Sequence, residues 1–164
     1  EAADVSGLEL DVEWMPTNNL TLGLGLGYLD TENNDPGLNF NGPFGNSPRV
    51  LPNAPEINFN ATLQYDVPME SGATLRFFTD YVWQDDHYKE IVNNLEVEAQ
   101  ALWNARLSWM SADGSWSASL WGKNLADEVY RIDTLTDPIG SGWGVYVNGM
   151  PRTFGVTARY NWGE

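Results

Sequence analysis

The chain has 164 residues, no cysteine and a net charge of −15, which leaves no disulfide framework and no thiolate metal site. A surface this acidic argues against nucleic acid as a partner, because phosphates need Lys and Arg to neutralise them. Sixteen Gly, nine Pro and 13% aromatic residues point to strands and turns, and no stretch approaches the ~18 consecutive apolar residues of a membrane helix, a test blind to β-barrels.

Seven segments alternate with period two, the period of a strand. Residues 8 to 15, LELDVEWM, set Leu8, Leu10, Val12 and Trp14 against Glu9, Asp11 and Glu13. Residues 20 to 30 set Leu20, Leu22, Leu24, Leu26 and Tyr28 against Thr21, Gly23, Gly25 and Gly27. Residues 56 to 66 set Ile57, Phe59, Ala61, Leu63 and Tyr65 against Asn58, Asn60, Thr62 and Gln64. The fourth segment, 73 to 84, sets Leu75, Phe77, Thr79, Tyr81 and Trp83 against Arg76, Asp80 and Gln84, with Phe78 and Val82 interrupting its polar row. The fifth, 102 to 110, sets Trp103, Ala105, Leu107 and Trp109 against Asn104, Arg106 and Ser108. The sixth, 115 to 123, sets Trp116, Ala118 and Leu120 against Ser117, Ser119 and Lys123. The last, PRTFGVTARYNW, sets Phe154, Val156, Ala158, Tyr160 and Trp162 against Thr153, Gly155, Thr157, Arg159 and Asn161.

Short connectors rich in turn residues (16–19, 67–72, 111–114) alternate with long ones (about 31–55, 85–101 and 124–150). That arrangement predicts an antiparallel up-and-down meander with all short turns at one end. A soluble sandwich or lipocalin-like barrel also alternates. Lipid is favoured by three features. None of the roughly thirty apolar-face positions is charged, and a lipid-facing Arg or Lys costs ~2–4 kcal/mol at the midplane. Trp14, Tyr65, Trp109, Trp116 and Trp162 fall beside the short turns and Tyr28, Tyr81 and Trp83 beside the long loops, as two interfacial belts would. About ten residues per tilted strand span the ~25 Å apolar band of an outer-membrane barrel.

The polar faces then line a lumen, where Gly23, Gly25 and Gly27 leave room for a bulky group to approach the wall. Arg76, Arg106, Lys123 and Arg159 share that side with Glu9, Asp11, Glu13 and Asp80; simple solvation in a watery pore or docking of an internal plug accounts for them. His87, the one histidine, sits in WQDDHYKE. It reads as a solvated loop residue, with ligand contact as the alternative: neighbouring strand residues point apart, and no second His or Cys completes a metal site. No nucleophile motif accompanies it, so no enzyme is expected and no cofactor. LGLGLG opens no helix and cradles no phosphate. Trp143 and Tyr146, on the Gly-rich loop 131–149, are candidate ligand contacts together with His87 and Tyr88, against mutual packing of the loops. Loop 33–50 has no periodicity and reads as mobile or folded over the mouth.

LWGKNLADEVY (120–130), LPNAPEINFNATLQYD (51–66), NARLSW (104–109) and GMPRTFGVTARYNW (149–162) together resemble the closing strands of TonB-dependent outer-membrane receptors. The resemblance implies a barrel of ~22 strands around an N-terminal plug, in the outer membrane of a Gram-negative bacterium. It implies import of a scarce nutrient such as a ferric siderophore, haem, cobalamin or a glycan, driven by the TonB complex. It makes Arg76, Asp80, Arg106, Lys123 and Arg159 lumen- or plug-facing, and Tyr160 and Trp162 part of a barrel assembly signal. The opening residues EAADVSGLEL lack a signal peptide's charged start and apolar run, and seven strands are an odd number. The expectation is therefore that 1–164 is the C-terminal part of a larger receptor barrel without its plug. The alternative is a small structural or adhesive outer-membrane barrel completed by another strand or chain.

Overall fold

The structure, a computed structural model, describes residues 3–34, 41–42, 45–46, 50–90, 95–136 and 143–162. In chain order the strands are β1 (Ala3–Thr17), β2 (Leu20–Asn33), β3 (Asn41–Gly42), β4 (Gly45–Asn46), β5 (Ile57–Pro68), β6 (Thr74–Gln84), β7 (His87–Tyr88), β8 (Glu96–Val97), β9 (Gln100–Met110), β10 (Trp116–Lys123), β11 (Arg131–Thr136), β12 (Gly144–Asn148) and β13 (Thr153–Tyr160). Seven of them form one antiparallel sheet in the order β1-β2-β5-β6-β9-β10-β13. These are the seven segments that alternate in the sequence, with the first beginning earlier and the second running later than the pattern alone marks.

The remaining strands pair two by two, β3 with β4, β7 with β8 and β11 with β12. All three small hairpins lie in the long connectors, which the sequence presents as loops. Two-residue strands carry no period, so nothing in the sequence distinguishes β3, β4, β7 or β8 from coil. Residues 35–40, 43–44 and 47–49 of the 33–50 connector lie outside the described residues.

Turn chemistry sets the register. Gly72, at φ +81°, donates its N–H to the Met69 carbonyl, and Met69 N–H bonds the Ala73 carbonyl. A side chain at that φ is strained, and the closed turn places Asp66 opposite Arg76 and Asn58 opposite Gln84. Gly114, at φ +72°, does the same between β9 and β10. One residue of slip would exchange the two faces of every strand.

With register fixed, whole rows share a character. Trp14, Leu22, Leu63, Thr79, Ala105, Gly122 and Phe154 follow one another across all seven strands. The single hydroxyl in that apolar row is satisfied: Thr79 Oγ1 donates to the Asn104 carbonyl and accepts from Trp103 Nε1, both at 2.7 Å. At the short-turn end Trp116 and Tyr160 rings lie 4.6 Å apart, and Trp162 meets Tyr160 edge-on at 5.1 Å.

Nothing within the described residues covers this face. Ala73 and Val97 are the buried hydrophobic residues among them, whereas Leu24, Leu120 and Val156 are 52%, 57% and 76% exposed. A sandwich would bury such a face against a second sheet. A single layer leaving large aliphatic and aromatic side chains open along every strand is an interaction surface rather than a water-facing one.

Candidate functional site

The polar face is the site's floor. On β1, Glu9, Asp11 and Glu13 stand opposite Gly27, Gly25 and Gly23, with Asn58, Asn60 and Thr62 next in line. The room expected above these glycines is only partly there. The side chains of Thr62 and Asn60 lie across Gly23 and Gly25, where a Cβ would strike the Thr62 hydroxyl and the Asn60 amide. Gly27 stays open, its nearest neighbour the Asn58 Cβ at 3.9 Å.

The five charged residues expected on this face differ in how they are engaged. Arg76 makes a two-pronged pair with Asp66, Nε to Oδ1 and Nη2 to Oδ2, each at 2.7 Å. Its partner is thus the residue directly across the hairpin and not Asp80 or an acid of β1. Asp80 accepts from Asn104 Nδ2 at 2.7 Å. Arg106 and Arg159 have no ion pair or hydrogen bond among the described residues, and Lys123 Nζ hovers 5.9 Å from the Trp121 ring centroid.

Trp121 is the residue the sequence reading passed over. It has the parity of Ser117, Ser119 and Lys123, so the alternation that placed those three also places Trp121 on the polar face. Its Nε1 donates to Thr157 Oγ1 at 3.2 Å, and its ring lies so close over Gly155 that no Cβ fits there. Phe78, Arg106, Trp121 and Gly155 form one row. Around them opens a hollow of about 440 Å³ lined by Phe78, Asp80, Asn104, Arg106, Trp121 and Lys123 among others.

At the long-loop end the hairpins pack together. Val97 is fully buried, and His87, opposite it on β7, is only 5% exposed. His87 is therefore an interior residue of the hairpin, not the solvated loop histidine expected. The local pairing folds its ring inward, with Nδ1 3.3 Å from the Asp85 carbonyl. Burial pushes its pKa down, which the Asp85 carbonyl and the Asp86 charge oppose and the Lys89 charge reinforces. Tyr88 stands opposite Glu96, and its phenol is pushed up by burial and then by the charges of Glu96 and Asp86. Glu96 is itself raised, first by a hydrogen bond with Asp86 and then by burial.

Trp143 and Tyr146, three positions apart, belong to opposite faces of the β11–β12 hairpin. The Arg131 guanidinium stacks 3.8 Å over Tyr146 and reaches Glu98 at 3.3 Å, tying the hairpin to the 85–99 connector. Leu95 packs against Gly144 from the same side. Trp143, half exposed, shares the other face with Val145 and Val147. Among the described residues no cluster of His, Cys, Asp or Glu is arranged to hold a metal ion.

A knot of side chains anchors this assembly to the sheet. Asn124, 4% exposed and at φ +51°, donates to the carbonyls of Glu128 and Met150 and accepts from Glu128 N–H. Its own N–H bonds Asn104 Oδ1 at 2.9 Å. Arg152 reaches the Leu125 carbonyl and the Asp127 carboxylate. The stretches 120–130 and 149–162, far apart in sequence, are thus two halves of one joint.

The family described as TonB dependent receptor-like, beta-barrel matches residues 1–125. Three solved structures share the fold. The ferric yersiniabactin uptake receptor FyuA from Yersinia pestis superposes over 98% of this chain and 24% of its own, with TM-score 0.82 and 21% identity. The siderophore receptor PiuA from Acinetobacter baumannii covers 95% of this chain and 21% of its own, with TM-score 0.67 and 19% identity. The ferric-catecholate import receptor Fiu from E. coli K12 covers 96% and 21%, with TM-score 0.65 and 21% identity. The chain spans about a quarter of the length of such receptors or less, and at these identities the likeness shows the fold. With a match over most of its length and a sheet of that architecture, the chain belongs to the TonB-dependent receptor β-barrel family.

Proposed function

We propose that residues 1–164 are the C-terminal part of the barrel of an outer-membrane receptor in a Gram-negative bacterium, and that this receptor imports an iron complex. The observation that carries this reading is the single-layer sheet with one uncovered apolar face and one polar, charged face. The first face suits lipid and the second an aqueous lumen. In the order of the sheet β1 and β13 each have one neighbour, so further strands would close the wall, and a plug from the same receptor would occupy the lumen.

Transport divides between the two ends of the wall. The extracellular hairpins capture the complex, with Trp143, Tyr146 and Tyr88 offering rings and His87 holding the β7–β8 hairpin in shape. Arg76, Asp80, Arg106, Lys123 and Arg159 line the lumen, where a plug rearranged through TonB would open a path. Tyr160 and Trp162, in contact at the short-turn end, would serve the recognition of the last strand during assembly. No chemical step on the cargo is part of this mechanism.

The test is iron uptake under iron limitation, in cells with the receptor gene deleted and restored. Restoration should return energised uptake, and an uncoupler that collapses the proton gradient should abolish it. Equal uptake in the two strains would overturn the assignment.

A further inference from the structure

We propose that Asn104 is a positioning residue for cargo capture: its side-chain amide, braced by the wall carboxylate Asp80, sets the β11–β12 hairpin at the attitude in which it meets cargo. The inference rests on the receptor reading and deepens it by naming what holds one capturing element in place. Asn104 stands opposite Asp80 across β6 and β9 and is engaged through each of its polar groups. Its Nδ2 donates to Asp80 Oδ2 at 2.7 Å, its Oδ1 accepts from Asn124 N–H at 2.9 Å, and its carbonyl accepts from the Thr79 hydroxyl at 2.7 Å. An ionised carboxylate can only accept, so Asp80 fixes which end of the amide is which. With Nδ2 committed to Asp80, Oδ1 has to face Asn124.

The bond to Asn124 falls where the sheet ends. The β9–β10 ladder closes at Ala105 opposite Gly122, and at Asn124 the backbone turns to φ +51°. Among the described residues, the joint is then tied to β9 by the backbone bond from Leu125 N–H to the Trp103 carbonyl and by the side-chain bond from Asn124 N–H to Asn104. On its other side the Asn124 amide holds both roots of the hairpin, the Glu128 carbonyl ahead of β11 at 2.8 Å and the Met150 carbonyl behind β12 at 3.2 Å. Tyr130 closes the two roots on each other: its hydroxyl accepts from Met150 N–H and its carbonyl from Gly149 N–H. The roots therefore move as one, and a turn of the Asn104 amide is carried into the hairpin that bears Trp143 and Tyr146.

The test uses the full-length receptor and three variants. Asn104→Asp sets two carboxylates against each other, so the new side chain turns from Asp80 and releases Asn124 N–H. Asp80→Asn combined with Asn104→Asp exchanges donor and acceptor at unchanged charge and restores both bonds. Asn104→Ala removes the bonds without adding charge. Nitroxide labels at Glu70→Cys in a short turn and Val145→Cys on the hairpin, both exposed positions, report the hairpin's attitude as a distance distribution by pulsed electron spin resonance in detergent. Uptake is followed in the unlabelled variants against cargo concentration, with radioactive iron loaded on the chelator fraction of the cells' own spent medium.

Asn104→Asp and Asn104→Ala should broaden the label distances and raise the half-saturating cargo concentration about tenfold, the factor a lost hydrogen bond to a charged group carries. Maximal uptake should hold, and the exchange should return both readings to wild type. A distribution as narrow as wild type in Asn104→Ala, or no recovery on exchange, overturns the proposal. A wild-type half-saturating concentration overturns it too, and a fall in maximal uptake alongside would place Asn104 in passage rather than capture. Should Asn104→Asp fail to assemble, judged by heat-modifiable migration on gels, Asn104→Ala and the exchange carry the same readings. The label distances need no cargo. A deletion strain with undiminished uptake would therefore overturn the iron-complex reading, and the labels alone would then decide whether Asn104 positions the hairpin.

Discussion

At the scale of single residues, two polar side chains do more than their exposure suggests. Asp113 sits in the turn between β9 and β10 and accepts from the Ser111 hydroxyl at 2.6 Å, the Ser115 N–H at 3.0 Å and the Ser115 hydroxyl at 2.8 Å. Those donors, the Ser111 hydroxyl foremost, bring its pKa from 3.8 down to about 2. A carboxylate depressed on folding stabilises the folded turn fully above its unfolded pKa, and that contribution fades as pH falls through the folded one. The Ser115 amide resonance of the detergent-solubilised receptor should therefore titrate with a midpoint near pH 2; a midpoint near 3.8 would remove the bonds from the account. Asn124 is the second case. Asn124→Gly keeps the positive φ but removes the partner of Glu128 N–H and of the Glu128 and Met150 carbonyls in a part-buried joint, a loss of about 0.5–1.5 kcal/mol per bond. It should lower the unfolding temperature of the receptor in detergent, and Asn124→Ala should lower it further by adding backbone strain. Neither effect is legible in sequence, because the partners of Asn124 lie on both sides of a connector whose path only the fold defines. The Arg76–Asp66 pair is different: once Glu70–Gly72 is taken as a three-residue turn, counting outward from Met69 and Ala73 brings the two residues face to face.

At the scale of elements, the main sheet was readable and the small hairpins were not. Each of the seven sheet strands carries eight residues or more, long enough for period two to stand out, and the turns between β5 and β6 and between β9 and β10 contain glycine at positive φ. The β11–β12 hairpin alternates too, as Thr134 opposite Tyr146 and Leu135 opposite Val145 show, but its segments are short and separated by a Gly-rich stretch. Its partner β7–β8 is held by packing rather than pattern: Val97 fills the interior and His87 lies across from it. Val97→Asp would put an unpaired carboxylate there and should free both hairpins from each other, read as protease cleavage within 85–99 on whole cells while the sheet stays intact. His87 adds a pH dependence of definite sign. Its folded pKa lies below the ordinary 6.5, so the opened hairpin takes up the proton first. The packed form is most stable above pH 6.5 and weakens as pH drops below it. Cleavage in that connector should accelerate on acidification, and His87→Phe should flatten the profile.

At the scale of the whole molecule, the question is what meets the apolar face. Alternation alone could not separate a core from lipid; what separated them in the sequence was the absence of charge from that face and the two aromatic belts. The structure adds that no second layer covers it among the described residues. Leu24 lies in the row Val12, Leu24, Ala61, Tyr81 and Trp103 and is half exposed. An Arg there would face hydrocarbon at ~2–4 kcal/mol, so Leu24→Arg should leave the receptor unassembled and degraded. The fair comparison on the opposite face is Gly27→Ser and not Gly25→Ser, because the Asn60 side chain already occupies the space above Gly25 while Gly27 is open. Gly27→Ser should assemble to wild-type levels, measured as heat-modifiable receptor in outer-membrane fractions. Strand propensity lowers Leu24→Arg and raises Gly27→Ser, but its whole scale spans ~1 kcal/mol, less than the ~2–4 kcal/mol expected of an Arg in lipid. Equal assembly of the two would mean that the apolar face meets something other than lipid. Equal failure would point to the strand's packing rather than to the medium around it.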